Sequence, residues 1–144
     1  MGNRRALCVG INKFKNLPTA TLQGCVNDAN DMALWLKEKL GFGESDISIL
    51  TDAKATKTAI MAGLRAMVDE AKAGRATYLV FSFSSHGTQI PDINGDEADK
   101  WDEAFCPYDT AAKGGQWNPN TIIVDDELHD LFLELPTSTL LEVY

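Results

Sequence analysis

Residues 6–83 alternate between two hydrophobic periods, and that alternation limits the chain to very few architectures. Ala6 to Ile11 (ALCVGI) is an almost unbroken apolar run. A strand buried on both faces reads this way, as in a parallel sheet covered by helices. Val26, Ala29, Met32, Ala33, Leu36 and Leu40 then recur at helical spacing, with Asn27 or Asp28 available as a cap and Gly41 as a stop. Ile47–Leu50 is a second short strand. Thr56 caps a second helix, whose apolar stripe is Ile60, Leu64, Met67 and Ala71 and which ends near Gly74. Thr77–Phe83 (TYLVFSF), aromatic and β-branched, is a third buried strand. This order predicts an α/β fold with a parallel sheet and right-handed crossovers.

The pattern changes after residue 84. Pro91–Glu103 is acidic and turn-rich, and Lys113–Asn120 (KGGQWNPN) reads as a polar loop. Thr121–Val124 is a short strand candidate. Asp125 or Asp126 then caps a helix carrying Leu128, Leu131, Phe132 and Leu135, stopped by Pro136. Thr139–Tyr144 starts one more apolar strand, and a core strand at the last residue suggests a fragment or one half of a processed protein. The length of 144 residues fits one domain.

Charge and cysteine content narrow the function classes. Thirteen basic against 21 acidic residues give a net charge of −8, a surface that repels phosphate backbones, so nucleic-acid binding is disfavoured. No run of 18 apolar residues exists, which argues against a membrane span, and the N-terminus lacks a cleavage signature. Cys8, Cys25 and Cys106 are odd in number and form no CxxC pair, so neither a disulfide framework nor a zinc knuckle is supported and a reducing cytoplasm is the expected compartment.

His86 is the most informative single residue. It lies in Ser84-Ser85-His86-Gly87, directly after a buried strand, and in open α/β sheets functional groups collect beyond the carboxyl ends of strands. The alternative is a surface-loop histidine without a role. His129, mid-helix, reads as a solvated residue. Asp92, Asp96, Glu97, Asp99, Asp102, Glu103 and Asp125-Asp126-Glu127 form an acidic cluster of hard oxygen donors suited to calcium. Asp92, Asn94, Asp96 and Glu103 fall at ligand positions of a helix-loop-helix calcium loop, but Glu97 occupies the sixth position, where the sharp turn requires glycine. Asp125 and Asp126 also suit a helix N-terminus, although two adjacent aspartates exceed what a cap needs. Cys8 and Cys106 read as packed core residues; Cys25 precedes a helix, where the dipole can stabilise a thiolate.

Five blocks together resemble the metacaspases and their prokaryotic relatives, the orthocaspases: Arg5–Asn12, Leu22–Ala29, Phe81–Gln89, the turn Asn94–Glu97 continuing through Trp101–Asp109, and Ile123–Leu128. They cover nearly the whole chain in the family's order. The resemblance implies a caspase-like α/β fold, with a mostly parallel central sheet flanked by helices on both faces and a short hairpin excursion after the catalytic-histidine strand. It implies an autoprocessing cysteine peptidase with a His–Cys dyad that cleaves after arginine or lysine. His86 matches the catalytic histidine. Asp28 matches an aspartate lining the pocket for the basic side chain, where a buried carboxylate would meet guanidinium; Cys25 and Ser84 match neighbouring cleft positions. Calcium is the implied regulatory ion, with Asp102, Asp125 and Asp126 as three ligands and a fourth beyond the catalytic cysteine.

The family nucleophile sits in an Asp-x-Cys-His-Ser-Gly block after the last strand. Caspase-type histidines lie about 50 residues upstream of the cysteine, and Tyr144 is already 58 positions beyond His86. None of the three cysteines matches the nucleophile. Residues 1–144 are therefore expected to be the N-terminal, large-subunit part of a catalytic domain, inactive alone, whose partners are Arg/Lys-containing substrates and the remainder of its own domain. Ser85 stands where the family usually has glycine. The competing reading is a non-catalytic caspase-like module that binds basic peptides or partner domains.

Overall fold

The computed structural model describes residues 3–144 except 93, 94, 96, 97 and 99. Its centre is a four-stranded parallel sheet made of β1 (Arg4–Gly10), β2 (Ile47–Thr51), β3 (Tyr78–Ser84) and β9 (Leu140–Val143), in the order β2-β1-β3-β9. Alternate residues of the inner strands face opposite layers. Leu7, Val9, Leu79 and Phe81 pack against α2 (Lys57–Lys72) and α3 (Asp125–Phe132), while Ala6, Cys8 and Val80 pack against α1 (Cys25–Leu40). Burial on both faces is why β1 and β3 carry no polar alternation. Each fully buried Leu, Ile or Phe contributes about 1.5–3 kcal/mol of transfer free energy, and Leu7, Leu36, Ile60, Leu64, Leu79 and Phe81 are all at most 1% exposed. The α/β expectation and the placement of helices on both faces hold.

Local signals explain most element ends. The Thr56 side chain accepts the Ala59 N–H at 3.2 Å and caps α2 as predicted. Gly41, at φ 68°, ends α1 in the left-handed conformation that glycine adopts without penalty. Two cap assignments are corrected. Gly24, not Asn27 or Asp28, is the N-cap of α1, and Asp28 lies inside the first turn. Val124, not Asp125 or Asp126, precedes α3; the Glu127 carboxylate reaches back to the Val124 N–H at 2.9 Å and is itself held by Lys57 Nζ at 2.8 Å. α3 also stops at Phe132, before Pro136 is reached.

The excursion after β3 is a second, antiparallel sheet of β4 (Gly87–Pro91), β5 (Trp101–Phe105) and β8 (Ile123–Val124), in that order. β5 begins within the acidic stretch that reads as turn and runs two residues beyond it. The polar segment from Lys113 is likewise corrected: it contains the hairpin of β6 (Ala112–Lys113) and β7 (Gln116–Trp117). β9 pairs with β3 through Phe81↔Val143 and continues with Tyr144 N–H to the Phe81 carbonyl and Phe83 N–H to the Tyr144 carbonyl, both at 2.9 Å. Its outer side is open among the described residues, with Leu140 and Val143 more than half exposed. No described helix is long and apolar enough to cross a membrane.

Candidate active site

The carboxyl ends of β1 and β3 meet where Gly10 pairs with Ser84, and the candidate residues gather around that point. α1 starts against it. A Cβ built on Gly10 would collide with the Cys25 carbonyl oxygen and lie 2.9 Å from the Ala29 Cβ, so only glycine lets the head of α1 approach β1 this closely. That approach carries Asp28 to β3: its Oδ2 accepts the Ser84 hydroxyl at 2.7 Å. The buried carboxylate expected at residue 28 is corrected, because Asp28 is exposed and presents its charge to solvent.

His86 lies two residues past β3, half-buried. Its Nε2 is 2.8 Å from the Ala20 carbonyl oxygen. A carbonyl only accepts, so the neutral ring carries its proton on Nε2 and its lone pair on Nδ1. The Phe14 ring packs on the imidazole with centroids 5.3 Å apart, and the His86 carbonyl accepts the Cys106 N–H at 3.0 Å. Ser85 does not crowd the cleft: its hydroxyl turns back to the Cys106 carbonyl at 2.8 Å. An open pocket of about 230 Å³ lies beside the ring, lined by Phe14, Leu17, Ala20, Thr88, Cys106 and Trp117. His129, by contrast, is exposed on α3.

Neither Cys8 nor Cys106 is set up as a nucleophile. Cys8 is fully buried in the sheet, and burial pushes its thiol up to about 11. Burial also raises the Cys106 thiol, against a smaller opposing hydrogen bond with Thr110. Cys25 is buried as the first residue of α1. A thiol is reactive as its thiolate, which these surroundings disfavour at Cys8 and Cys106.

The three aspartates matched to calcium lie on adjoining elements. Asp102, 1% exposed, is on β5; Asp125 and Asp126 open α3 directly after β8, whose Val124 pairs with Ala104. Among the described residues, no three His, Cys, Asp or Glu side chains converge into a metal-holding group. The donors are hard oxygens of the right chemistry, but the described residues alone do not complete a cage for the ion. Asn94, Asp96 and Glu97 of the near-match calcium loop lie outside the described residues. The contribution of Ala20 was not legible in the sequence, because it acts through a backbone carbonyl. Asp52 was also missed. It follows β2 directly, and its carboxylate accepts two backbone N–H groups at the start of the loop that carries Phe14 and Ala20; its position at a strand's carboxyl end was the available signal.

Residues 4–143 match the family model for the metacaspase, peptidase C14 domain. Metacaspase-1A of Aspergillus niger is 35% identical over 139 residues, covering 92% of this chain and 32% of the relative. Metacaspase-1A of Aspergillus oryzae is 36% identical over 138 residues, covering 92% and 30%. The chain thus spans about a third of the length of these curated relatives. A crystal structure of a Geobacter sulfurreducens protein superposes with a TM-score of 0.72 at 28% identity, covering 97% of this chain and 48% of that one. With the imidazole at the sheet's carboxyl edge, the two-faced helix layers and a match across nearly every residue, the chain belongs to the metacaspase family of caspase-like cysteine peptidases.

Proposed function

We propose that this chain supplies the histidine half of a His–Cys dyad in an endopeptidase that cleaves after arginine or lysine, and that the nucleophilic thiol comes from a segment following β9. His86 Nδ1 takes the thiol proton, and the thiolate attacks the scissile carbonyl. The imidazolium then returns its proton to the leaving amine, giving an acyl-enzyme thioester that water hydrolyses. Ala20 keeps Nε2 protonated throughout, so that Nδ1 is the nitrogen that works.

The observation that carries this reading is the β3–β9 register. Val143 stands beside Phe81 in a parallel pair, and Tyr144 bonds to both Phe81 and Phe83. A residue following Tyr144 would leave the sheet at the same edge as His86. Asp28, solvent-facing and oriented by Ser84, is a fixed negative charge for a substrate guanidinium or ammonium. Asp102, Asp125 and Asp126 would hold calcium through their carboxylate oxygens only together with at least one further donor from outside the chain.

The test uses a longer protein containing this chain and its downstream sequence, assayed with arginyl, lysyl and aspartyl fluorogenic peptides. Arginyl and lysyl substrates are expected to turn over and the aspartyl one to resist. His86→Ala is expected to lower kcat by at least about a hundredfold, the lower end for a lost general base. Asp28→Asn is expected to raise KM for arginyl substrates about tenfold, the loss of one charge-assisted contact. Full turnover by His86→Ala, or by the 144-residue chain alone, would refute the dyad. Tight binding of an arginyl inhibitor without turnover would favour the non-catalytic module.

A further inference from the structure

The segment between β1 and α1, residues 11–24, delivers both Phe14 and Ala20 to His86, yet it contains no helix or strand of its own. Turns within it, such as Ala20 N–H to the Leu17 carbonyl at 3.0 Å, shape its middle, and its stem is anchored from outside. Asn12 closes its stem: the Asn12 carbonyl accepts the Leu22 N–H at 2.7 Å, and its side-chain oxygen accepts the Val26 N–H at 3.3 Å. Asn12 is held in turn by Asp52, whose Oδ1 accepts the backbone N–H of Asn12 at 2.8 Å and of Lys13 at 3.0 Å. Asp52 adopts φ 44°, a left-handed conformation that side-chain-bearing residues avoid unless the surroundings require it. Here the requirement is visible, because the conformation coincides with the grip on two successive N–H groups. Ile11 N–H bonds to the Ser84 carbonyl at 2.9 Å, Lys15 N–H to the Tyr108 carbonyl at 2.9 Å and Asn16 Nδ2 to the Asp109 carbonyl at 3.1 Å, but none of these engages the Asn12 and Lys13 N–H groups at the loop's start.

We propose that Asp52 is a positioning residue for His86, holding the loop stem so that the Ala20 carbonyl meets Nε2 and keeps the ring proton there. This rests on the reading of His86 as the dyad base, but its physical content concerns one ring nitrogen and is measurable without turnover. Asp52→Gly accepts φ 44° and removes the carboxylate, while Asp52→Asn keeps both an acceptor oxygen and tolerance of the left-handed region. A plain loss of backbone fit would spare the glycine variant; loss of the grip would spare only the asparagine variant.

The experiment is NMR of the chain labelled with 15N-histidine, with exposed His129 as the internal reference. The His86 Nε2–H is expected to exchange slowly with solvent in the unmodified chain and in Asp52→Asn. In Asp52→Gly it is expected to exchange about tenfold faster, the size of one lost hydrogen-bond anchor, with the His129 signals unmoved. Equal exchange in Asp52→Gly and the unmodified chain would overturn the proposal. So would Asn12 and Lys13 amides that exchange at free-loop rates in the uniformly 15N-labelled unmodified chain, a measurement that needs no variant to fold. Undiminished turnover of a longer His86→Ala protein would sink the dyad while leaving this result standing, so the two failures are separable.

Discussion

Gly10→Ala isolates the contact on which the site's geometry depends. The added Cβ would overlap the Cys25 carbonyl oxygen, lie 2.8 Å from the carbonyl carbon and 2.9 Å from the Ala29 Cβ. None of these is the tip of a flexible side chain. Relief requires α1 to back away from β1, loosening Ala29, Ala33 and Leu36 against Ala6, Cys8 and Val80. Overpacking of a well-packed core costs about 1–3 kcal/mol, and backbone contacts place this variant at the upper end, ~3 kcal/mol. That is a large share of the 5–15 kcal/mol typical of a domain. With a urea slope of about 2 kcal/mol/M, the unfolding midpoint should fall by about 1.5 M, read by far-UV circular dichroism. Gly63→Ala is the control. Its Cβ crowds only the Leu7 side chain, at 3.1 Å, a cost that offsets the gain of about 1 kcal/mol of helix propensity within α2, so its midpoint should stay close to the original. If Gly10→Ala behaved like Gly63→Ala, the close approach of α1 would not be what holds Asp28 at Ser84.

Glu134 is held from an ordinary 4.5 down to about 2, first by its hydrogen bond with Arg65 and then by that with Lys72. Because the folded value is depressed, its contribution to stability is present above about 4.5 and lost as pH falls toward 2. Glu134→Gln should therefore flatten the acid limb of a stability-against-pH curve in low salt, and an unchanged limb would remove the pair from the account. Tyr78 is raised to about 12, chiefly by desolvation and then by its hydrogen bond to Glu142. That contribution is complete below pH 10 and lost between about 10 and 12, so Tyr78→Phe should blunt the alkaline loss of stability; equal alkaline loss in the variant would count against the β3–β9 link. For calcium, Asp125→Ala with Asp126→Ala should abolish any calcium-induced change in Trp101 fluorescence of the longer protein, and a retained response would place the ion elsewhere.

What the sequence determined by itself was the frame. Three parallel strands, the two helices between them and the Thr56 cap depend on patterns within a few residues: apolar runs for strands buried twice, a 3.6-residue stripe for a helix with one buried face, a hydroxyl three residues before an amide. Tertiary structure decided whatever depends on distant partners. Asp28 reads locally as a cap, yet its carboxylate is turned toward Ser84, 56 residues away. β5 reads as acidic turn because its strand character comes from pairing with β4 and β8, with Asp102 buried on the side that its own pattern would make wet. His86 was legible as a type of residue at the right end of a strand. The proton on Nε2 was not, because a carbonyl on residue 20 places it there, and every residue has a carbonyl.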